Sequence, residues 1–340
     1  MSREITAAVV REQGSFALET VLLEDPRDDE ILVRVVAAGL CHTDLVVRDQ
    51  VYPVPLPSVL GHEGAGVVEA VGAAVTKVAP GDHVAVSFLP CSRCRPCFDG
   101  SPASCANFND MNFAGQRPDG SHAITDSGGH AINDRFFGQS SFATHAIVHE
   151  RNTVKVRDDA PLELLGPLGC GIQTGAGTVL RALEVDAGSS FAVTGAGAVG
   201  LSAVMAAHVT GATTIIAVDV VDSRLELARE LGATHVINGS ETDAVEEIRQ
   251  RGTTAILGAS RPDAVLDIAA NAFMQSCKTI RGVVEGDSVP DVFVPQLLDL
   301  HMQGRFPFDR LVTFYDFDQI NQAAADTESG TAIKPILRMT

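Results

Sequence analysis

Tryptophan is absent from the 340 residues, and tyrosine occurs only twice, at Tyr52 and Tyr315. So few rings argue against a stacking platform for single-stranded nucleic acid. Basic side chains are also scarce. The 25 Lys and Arg face 43 Asp and Glu, and the net charge of −18 repels phosphate backbones and anionic membranes. Every apolar stretch is broken by glycine or charge before membrane-spanning length. The opening residues, MSREITAAVV, lack the basic-then-apolar order and cleavage site of a signal peptide. The composition predicts a soluble, cytoplasmic protein in a reducing compartment, without a nucleic-acid or membrane partner.

What is present is glycine, apolar bulk and clustered cysteine. Hydrophobic residues make up 45 % and mean hydropathy is +0.15, enough for a large core, and the length suits two domains. The first part reads as β-rich: Ile31–Val36, Gly64–Val71 and His83–Phe88 carry β-branched residues between Gly, Pro and Asp. From about Gly171 the pattern alternates. Strands are expected at Ser190–Thr194, Thr213–Val218 and His235–Asn238, with helices at Gly200–Val209 and Ser223–Leu231. That alternation predicts an α/β fold with a doubly wound parallel sheet. The last part, from about Asp287, ends in a strand-like run at Ile333–Leu337.

Four of the seven cysteines fall in Cys91-x2-Cys94-x2-Cys97-x7-Cys105. Four thiolates this close suit one tetrahedral Zn2+ with bonds of about 2.3 Å. Turns at Pro90, Pro96 and Gly100 would let the loop wrap around it. Disulfides would need an oxidising compartment; an iron–sulfur cluster is the main competitor. A closed site of this kind is structural, so catalysis belongs elsewhere. A zinc-finger nucleic-acid binder rests on the cysteines alone, and the charge opposes it.

Gly195-Ala196-Gly197-Ala198-Val199-Gly200 is a full G-x-G-x-x-G between an expected strand and helix. Gly195 permits the tight turn, Gly197 the approach of a pyrophosphate, and Gly200 close helix–strand packing. The free N–H groups of the helix N-terminus would hold the phosphates. Asp219, at the end of the next strand, would accept from the adenosine ribose and repel a 2′-phosphate. Val220 and Val221 offer no cation to reverse that choice, so NAD is expected over NADP.

Cys41 opens Cys41-His42-Thr43-Asp44, His62 lies in Gly61-His62-Glu63-Gly64-Ala65-Gly66 with Gly72 beyond, and Cys170 lies in Gly169-Cys170-Gly171. Two thiolates and an imidazole with an open fourth position can form a catalytic zinc site, although by spacing alone the trio is weak. With these motifs in this order, the chain resembles the zinc-dependent medium-chain alcohol dehydrogenases over nearly its whole length. The resemblance implies a β-rich GroES-like catalytic domain and a Rossmann domain. The boundaries fall at 1–171 and 172–286, with 287–340 returning to the catalytic domain. It implies Cys41, His62 and Cys170 as ligands of a catalytic zinc, Glu63 beside the metal, and Asp44 orienting His62. Thr43 would take the proton of a zinc-bound alcohol, whose hydride passes to NAD+. His42 would meet the cofactor pyrophosphate, with Lys334 a second contact. Partners are then a small alcohol or aldehyde and further copies of the chain, as a homodimer or homotetramer.

The runs Gly169–Gly175 and Ile280–Asp287 resemble those of aryl and allylic alcohol dehydrogenases, so benzyl alcohol or a geraniol-like substrate would fit. Val46 stands where some relatives carry a relay histidine, which suits an apolar pocket. Phe88, Phe113, Phe136 and Phe142 are read as core.

The Rossmann pattern is one βα unit short. After an expected helix at Ala244–Gln250, only Thr254–Gly258 and Lys278–Val284 read as strands, and the fourth strand with its helix is missing near Gln250–Gly252. The expectation is five parallel strands, with Thr254–Gly258 closing against Phe191–Thr194. The missing unit also motivates an alternative, a catalytically impaired zinc- and nucleotide-binding paralogue.

Overall fold

Ile31, Leu32, Val33 and Val35 make β3 (Glu30–Gly39) buried on both faces, and the larger sheet of the first unit is built around it. The computed structural model describes residues 2–241, 253–258 and 263–339. The chain divides into two compact units, one holding residues 1–170, 289–298 and 309–340, the other residues 171–288 and 299–308.

In the first unit, β3 pairs antiparallel with β5 (Gly64–Val71), β9 (His145–His149) and β17 (Lys334–Arg338). The sheet extends from β5 through β6 (His83–Val86) to β10 (Thr153–Lys155), and from β17 to β16 (Val312–Asp316). A second sheet has the order β4-β1-β2-β7-β8, with β1 (Ser2–Val10), β2 (Ala17–Glu24), β4 (Ser58–Val59), β7 (Ile124–Thr125) and β8 (Ala131–Ile132). Val33, Val35, Leu45, Leu60, Val84, Phe88, Phe136 and Phe142 belong to one core cluster; Ile5, Val21, Leu32 and Ile147 belong to another. The helix α1 (His42–Arg48) follows β3 directly, and Asp44 closes its first turn by accepting from the Cys41 N–H at 2.9 Å. Two short helices, α2 (Arg95–Phe98) and α3 (Phe108–Asn112), flank the last cysteines of the loop.

The second unit starts with α4 (Gly171–Gly177). Its sheet is parallel and ordered β11-β12-β13: Ser190–Thr194, Thr214–Asp219 and His235–Asn238. α5 (Ala198–Thr210) follows β11, and α6 (Asp222–Glu230) follows β12. These elements lie within two residues of the expected bounds. The expected helix Ala244–Gln250 lies outside the described residues.

The closing of the sheet is not as expected. β14 (Thr253–Ile256) pairs in parallel with β15 (Thr279–Gly282) as a separate two-stranded sheet, and among the described residues β11 pairs only with β12. A strand in the middle of a parallel sheet is buried on both faces and reads as a continuous apolar run. β14 instead opens Thr253-Thr254, both exposed, and its Ile256 is 37 % exposed. Among the described residues no helix is long and apolar enough to cross a membrane.

Candidate metal centres and cofactor site

The four-cysteine loop brings its sulfurs together, all within 4.8 Å of one another. Cys94 Sγ lies 3.4 Å from Cys97 Sγ and 3.9 Å from Cys105 Sγ. A tetrahedron with bonds of about 2.3 Å has edges of about 3.8 Å, so the set matches one zinc ion. Pro96 in the first turn of α2 and the left-handed Gly100 (φ 79°) reverse the chain. Backbone N–H groups of Cys91 and Ala106 point at Cys105 Sγ (3.3 Å) and Cys94 Sγ (3.4 Å), and Asn107 Nδ2 donates to Cys91 Sγ at 3.2 Å. Such donors stabilise thiolate charge. Arg151 braces the loop by donating to the Pro90 and Cys91 carbonyls at 3.1 and 2.9 Å, a support no motif announced.

A second set joins Cys41, at the start of α1, to His62 and Glu63, just before β5, and to Cys170. One ligand atom of each lies within 4.8 Å of the others. His62 is fully buried. Its Nδ1 is 2.8 Å from Asp44 Oδ1, and its Nε2 has no hydrogen-bond partner. A buried imidazole nitrogen left unpaired is costly unless it has a ligand to bind, and here it faces two cysteine sulfurs. The residues therefore fit a zinc ion with two thiolates and one imidazole. The ring is held on its faces as well, stacked on Phe137 at 4.5 Å and edge-on to Phe136 at 5.4 Å.

The glycine fingerprint is a bare cradle. Gly195 adopts φ 90°, and a Cβ at Gly195 or Gly197 would meet nothing within 4 Å, leaving room for a phosphate group. At Gly200 a Cβ would sit 1.8 Å from the Gly195 carbonyl oxygen, so only glycine lets α5 pack there. Asp219 accepts from the Ala196 N–H at 2.5 Å with Oδ2 and from the Val220 and Val221 N–H groups at 2.8 and 2.9 Å with Oδ1. The carboxylate thus pins the glycine turn.

Residues 27–158 match the alcohol dehydrogenase GroES-like domain family, and residues 198–291 match the zinc-binding dehydrogenase family. Geraniol dehydrogenase of Castellaniella defragrans is 45 % identical, with 97 % of this chain and 96 % of that protein aligned. The crystal structure of benzyl alcohol dehydrogenase from Acinetobacter calcoaceticus is 48 % identical, covers 99 % of this chain and 100 % of its own, and superposes with a TM-score of 0.95. An alcohol dehydrogenase zinc-binding domain protein from Burkholderia ambifaria is 54 % identical over 100 % of both chains, with a TM-score of 0.98. The chain belongs to the zinc-dependent medium-chain alcohol dehydrogenases.

Within this dehydrogenase several residues stand apart from their expected places. Lys334, expected at the cofactor, is 2 % exposed and sits on Glu63 instead, with Nζ 2.9 and 3.0 Å from the two carboxylate oxygens. The reason is charge. A buried carboxylate needs a cation, and β17 delivers one from 271 positions away. Burial lowers the Lys334 pKa, but Glu63 outweighs it and keeps the ammonium above its ordinary value. His42 is exposed on α1, and Thr43 is half-buried with Oγ1 3.9 Å from Cys41 Sγ. Phe88, Phe136 and Phe142 lie in the core, and Phe113 packs on Tyr52 at 4.8 Å and Phe137 at 5.2 Å. Gln139 went unnoticed in the sequence. It is buried, donates to the His62 carbonyl at 2.8 Å and accepts from the Gly64 N–H at 3.0 Å, fixing both sides of the ligand-bearing turn. Its only signal is a polar run, Gln139-Ser140-Ser141, one glycine after two phenylalanines. Cys277 is exposed and outside both sets.

Proposed function

We propose that this chain is a zinc- and NAD-dependent dehydrogenase of primary aryl or allylic alcohols, of the benzyl alcohol or geraniol type. The observation that carries it is the convergence of Cys41, His62 and Cys170 around a buried Nε2 that has no other partner. The substrate class draws support from the geraniol and benzyl alcohol dehydrogenases among its relatives and from the apolar Val46 on α1. The proposed layout keeps 1–171 as the catalytic domain, 172–286 as the NAD-binding domain and 287–340 as the returning segment. A cytoplasmic homodimer or homotetramer completes the proposal.

When bound, zinc would supply Lewis-acid polarisation of the alcohol oxygen, and NAD the hydride acceptor. The chain's own residues do the rest. Thr43, one turn into α1, holds the hydroxyl that receives the substrate proton and passes it outward to water or a cofactor ribose hydroxyl, since Val46 cannot relay it. Asp44 fixes the His62 ring so that Nδ1 carries the hydrogen and Nε2 stays free as a ligand. The N-terminal N–H groups of α5 receive the pyrophosphate, and His42 adds a further polar contact from the exposed face of α1. Asp219 receives the ribose hydroxyls with the acceptor capacity left after its three backbone bonds, and its charge disfavours a 2′-phosphate.

A second reading is a catalytically impaired paralogue that keeps its zinc. It is favoured by the separate β14–β15 sheet and by the alignment to geraniol dehydrogenase, whose 362 positions exceed the 340 residues of this chain. One experiment separates the two. Purified protein with a counted zinc content is mixed with benzyl alcohol or geraniol and NAD+. Formation of reduced nicotinamide supports the dehydrogenase. Full zinc content without turnover supports the paralogue, and calorimetry then shows whether it still binds NAD.

A further inference from the structure

Glu63 is a potential oxygen ligand placed beside the Cys41–His62–Cys170 set, with a carboxylate oxygen within 4.8 Å of their ligand atoms. If it joined them it would fill the position a substrate needs. Two features restrain it. Its carboxylate rests in a niche that exists because residue 39 is glycine, since a Cβ there would lie 2.0 Å from Glu63 Oε2. Lys334 closes on both carboxylate oxygens from β17, with side-chain exposures of 3 % and 0 % for the pair. The backbone is fixed too, because the Gly39 N–H donates to the Glu63 carbonyl at 2.9 Å.

We propose that Lys334 is a positioning residue that holds the Glu63 carboxylate off the metal and so keeps the fourth coordination position open. The proposal rests on Cys41, His62 and Cys170 being the zinc ligands. Electrostatics gives the clamp a second effect. The buried ammonium offsets the Glu63 charge, leaving the two thiolates and the Asp44 carboxylate to face the divalent ion. Without Lys334 the buried carboxylate loses the ammonium that holds it, and the metal is a cation within its reach. A carboxylate is a competent zinc ligand at about 2.0–2.2 Å, so a short side-chain shift would satisfy it.

The test uses the full chain loaded with Co2+, whose visible absorption weakens as a four-coordinate centre becomes five-coordinate. The four-cysteine loop is unchanged in every variant, so differences report the other site. Metal per chain is counted first. One equivalent in the wild type overturns the zinc-site assignment itself, and the inference with it. With two equivalents, Lys334→Met is expected to weaken the absorption and slow metal release to a chelator. Lys334→Arg is expected to keep the wild-type spectrum, and the Glu63→Gln/Lys334→Met pair to regain it. An unchanged spectrum in Lys334→Met overturns the inference, most clearly beside the roughly 10–100-fold loss of metal affinity that follows removal of an ordinary supporting partner. Failure of the double variant to regain the wild-type spectrum also overturns it, because Glu63 is then not the entering ligand. Should Lys334→Met not fold, Gly39→Ala displaces the carboxylate from its niche directly, and an unchanged spectrum there has the same force.

Discussion

His62 Nδ1 lies 2.8 Å from Asp44 Oδ1, and neither side chain is exposed to solvent. The same carboxylate accepts from the Cys41 N–H at 2.9 Å and the Gly61 N–H at 3.2 Å. One acidic group therefore ties together the two segments that carry the first two proposed zinc ligands. Asp44→Asn keeps the shape but removes the charge and one acceptor. It is expected to lower metal affinity at this site by roughly 10–100-fold while leaving the second metal equivalent in place. Chelator competition with metal counting checks it; equal release from wild type and variant would contradict the role given to Asp44.

Thr43 is proposed to carry the proton step. Thr43→Val removes the hydroxyl at nearly constant volume and is expected to lower kcat by about 100-fold or more, within the range of general acid–base contributions. Thr43→Ser should retain most of the rate. If both variants turn over like the wild type, the proton leaves by another route.

Asp219 pins the turn at Ala196 and is proposed to receive the cofactor ribose as well. Asp219→Ser is expected to raise the NAD KM and shift the NAD/NADP ratio of kcat/KM toward NADP by about tenfold, or about 1.4 kcal/mol. Steady-state kinetics with both cofactors reads this out. An unaltered ratio would mean that the charge does not choose the cofactor.

Cys97→Ser should cost one metal equivalent and lower the thermal midpoint by roughly 5 °C or more, because the loop loses its cross-link. NAD binding by calorimetry should survive, since the glycine cradle belongs to the other unit. Retention of two metal equivalents would contradict the tetrahedral assignment.

Glu30 sits between Arg117 and Arg135, with Arg117 Nε and Nη2 at 2.8 and 3.0 Å. Burial works to raise the Glu30 pKa, but the two guanidiniums outweigh it and hold the carboxyl below its ordinary value. A carboxyl depressed in the folded state stabilises the fold above its unfolded pKa of about 4.3 and loses that contribution as pH falls through the folded value. Glu30→Gln is expected to cost about 3–5 kcal/mol near neutral pH, as removal of one partner from a buried pair does. It should also flatten the acid side of the stability curve. Denaturant melts at neutral pH and at about pH 4 test both, and an unchanged acid limb would rule out Glu30 as its source.

Local signals carried far in the sequence. The cysteine loop, the glycine cradle and strands such as β5 and β13 were legible because spacing, turn residues and alternation are properties of neighbouring residues. The Lys334–Glu63 pair was not, since residues 271 positions apart leave no pattern in a single chain. Gln139 was hidden for a related reason. A buried glutamine looks like a surface one until the carbonyl of His62 and the N–H of Gly64 are placed on either side of it. The strand order failed differently. The strand expected at Thr254–Gly258 is present as Thr253–Ile256, but which edge it joins depends on a competition between sheets that its own composition only partly records.

Distance along the chain also sets an order of assembly. The four sulfurs of the cysteine loop come from residues 91–105, so an emerging chain can capture its ion as soon as that loop has cleared the ribosome. The other centre must wait for residue 170, and the carboxylate at residue 63 stays without its lysine until β17 has been synthesised and added beside β3.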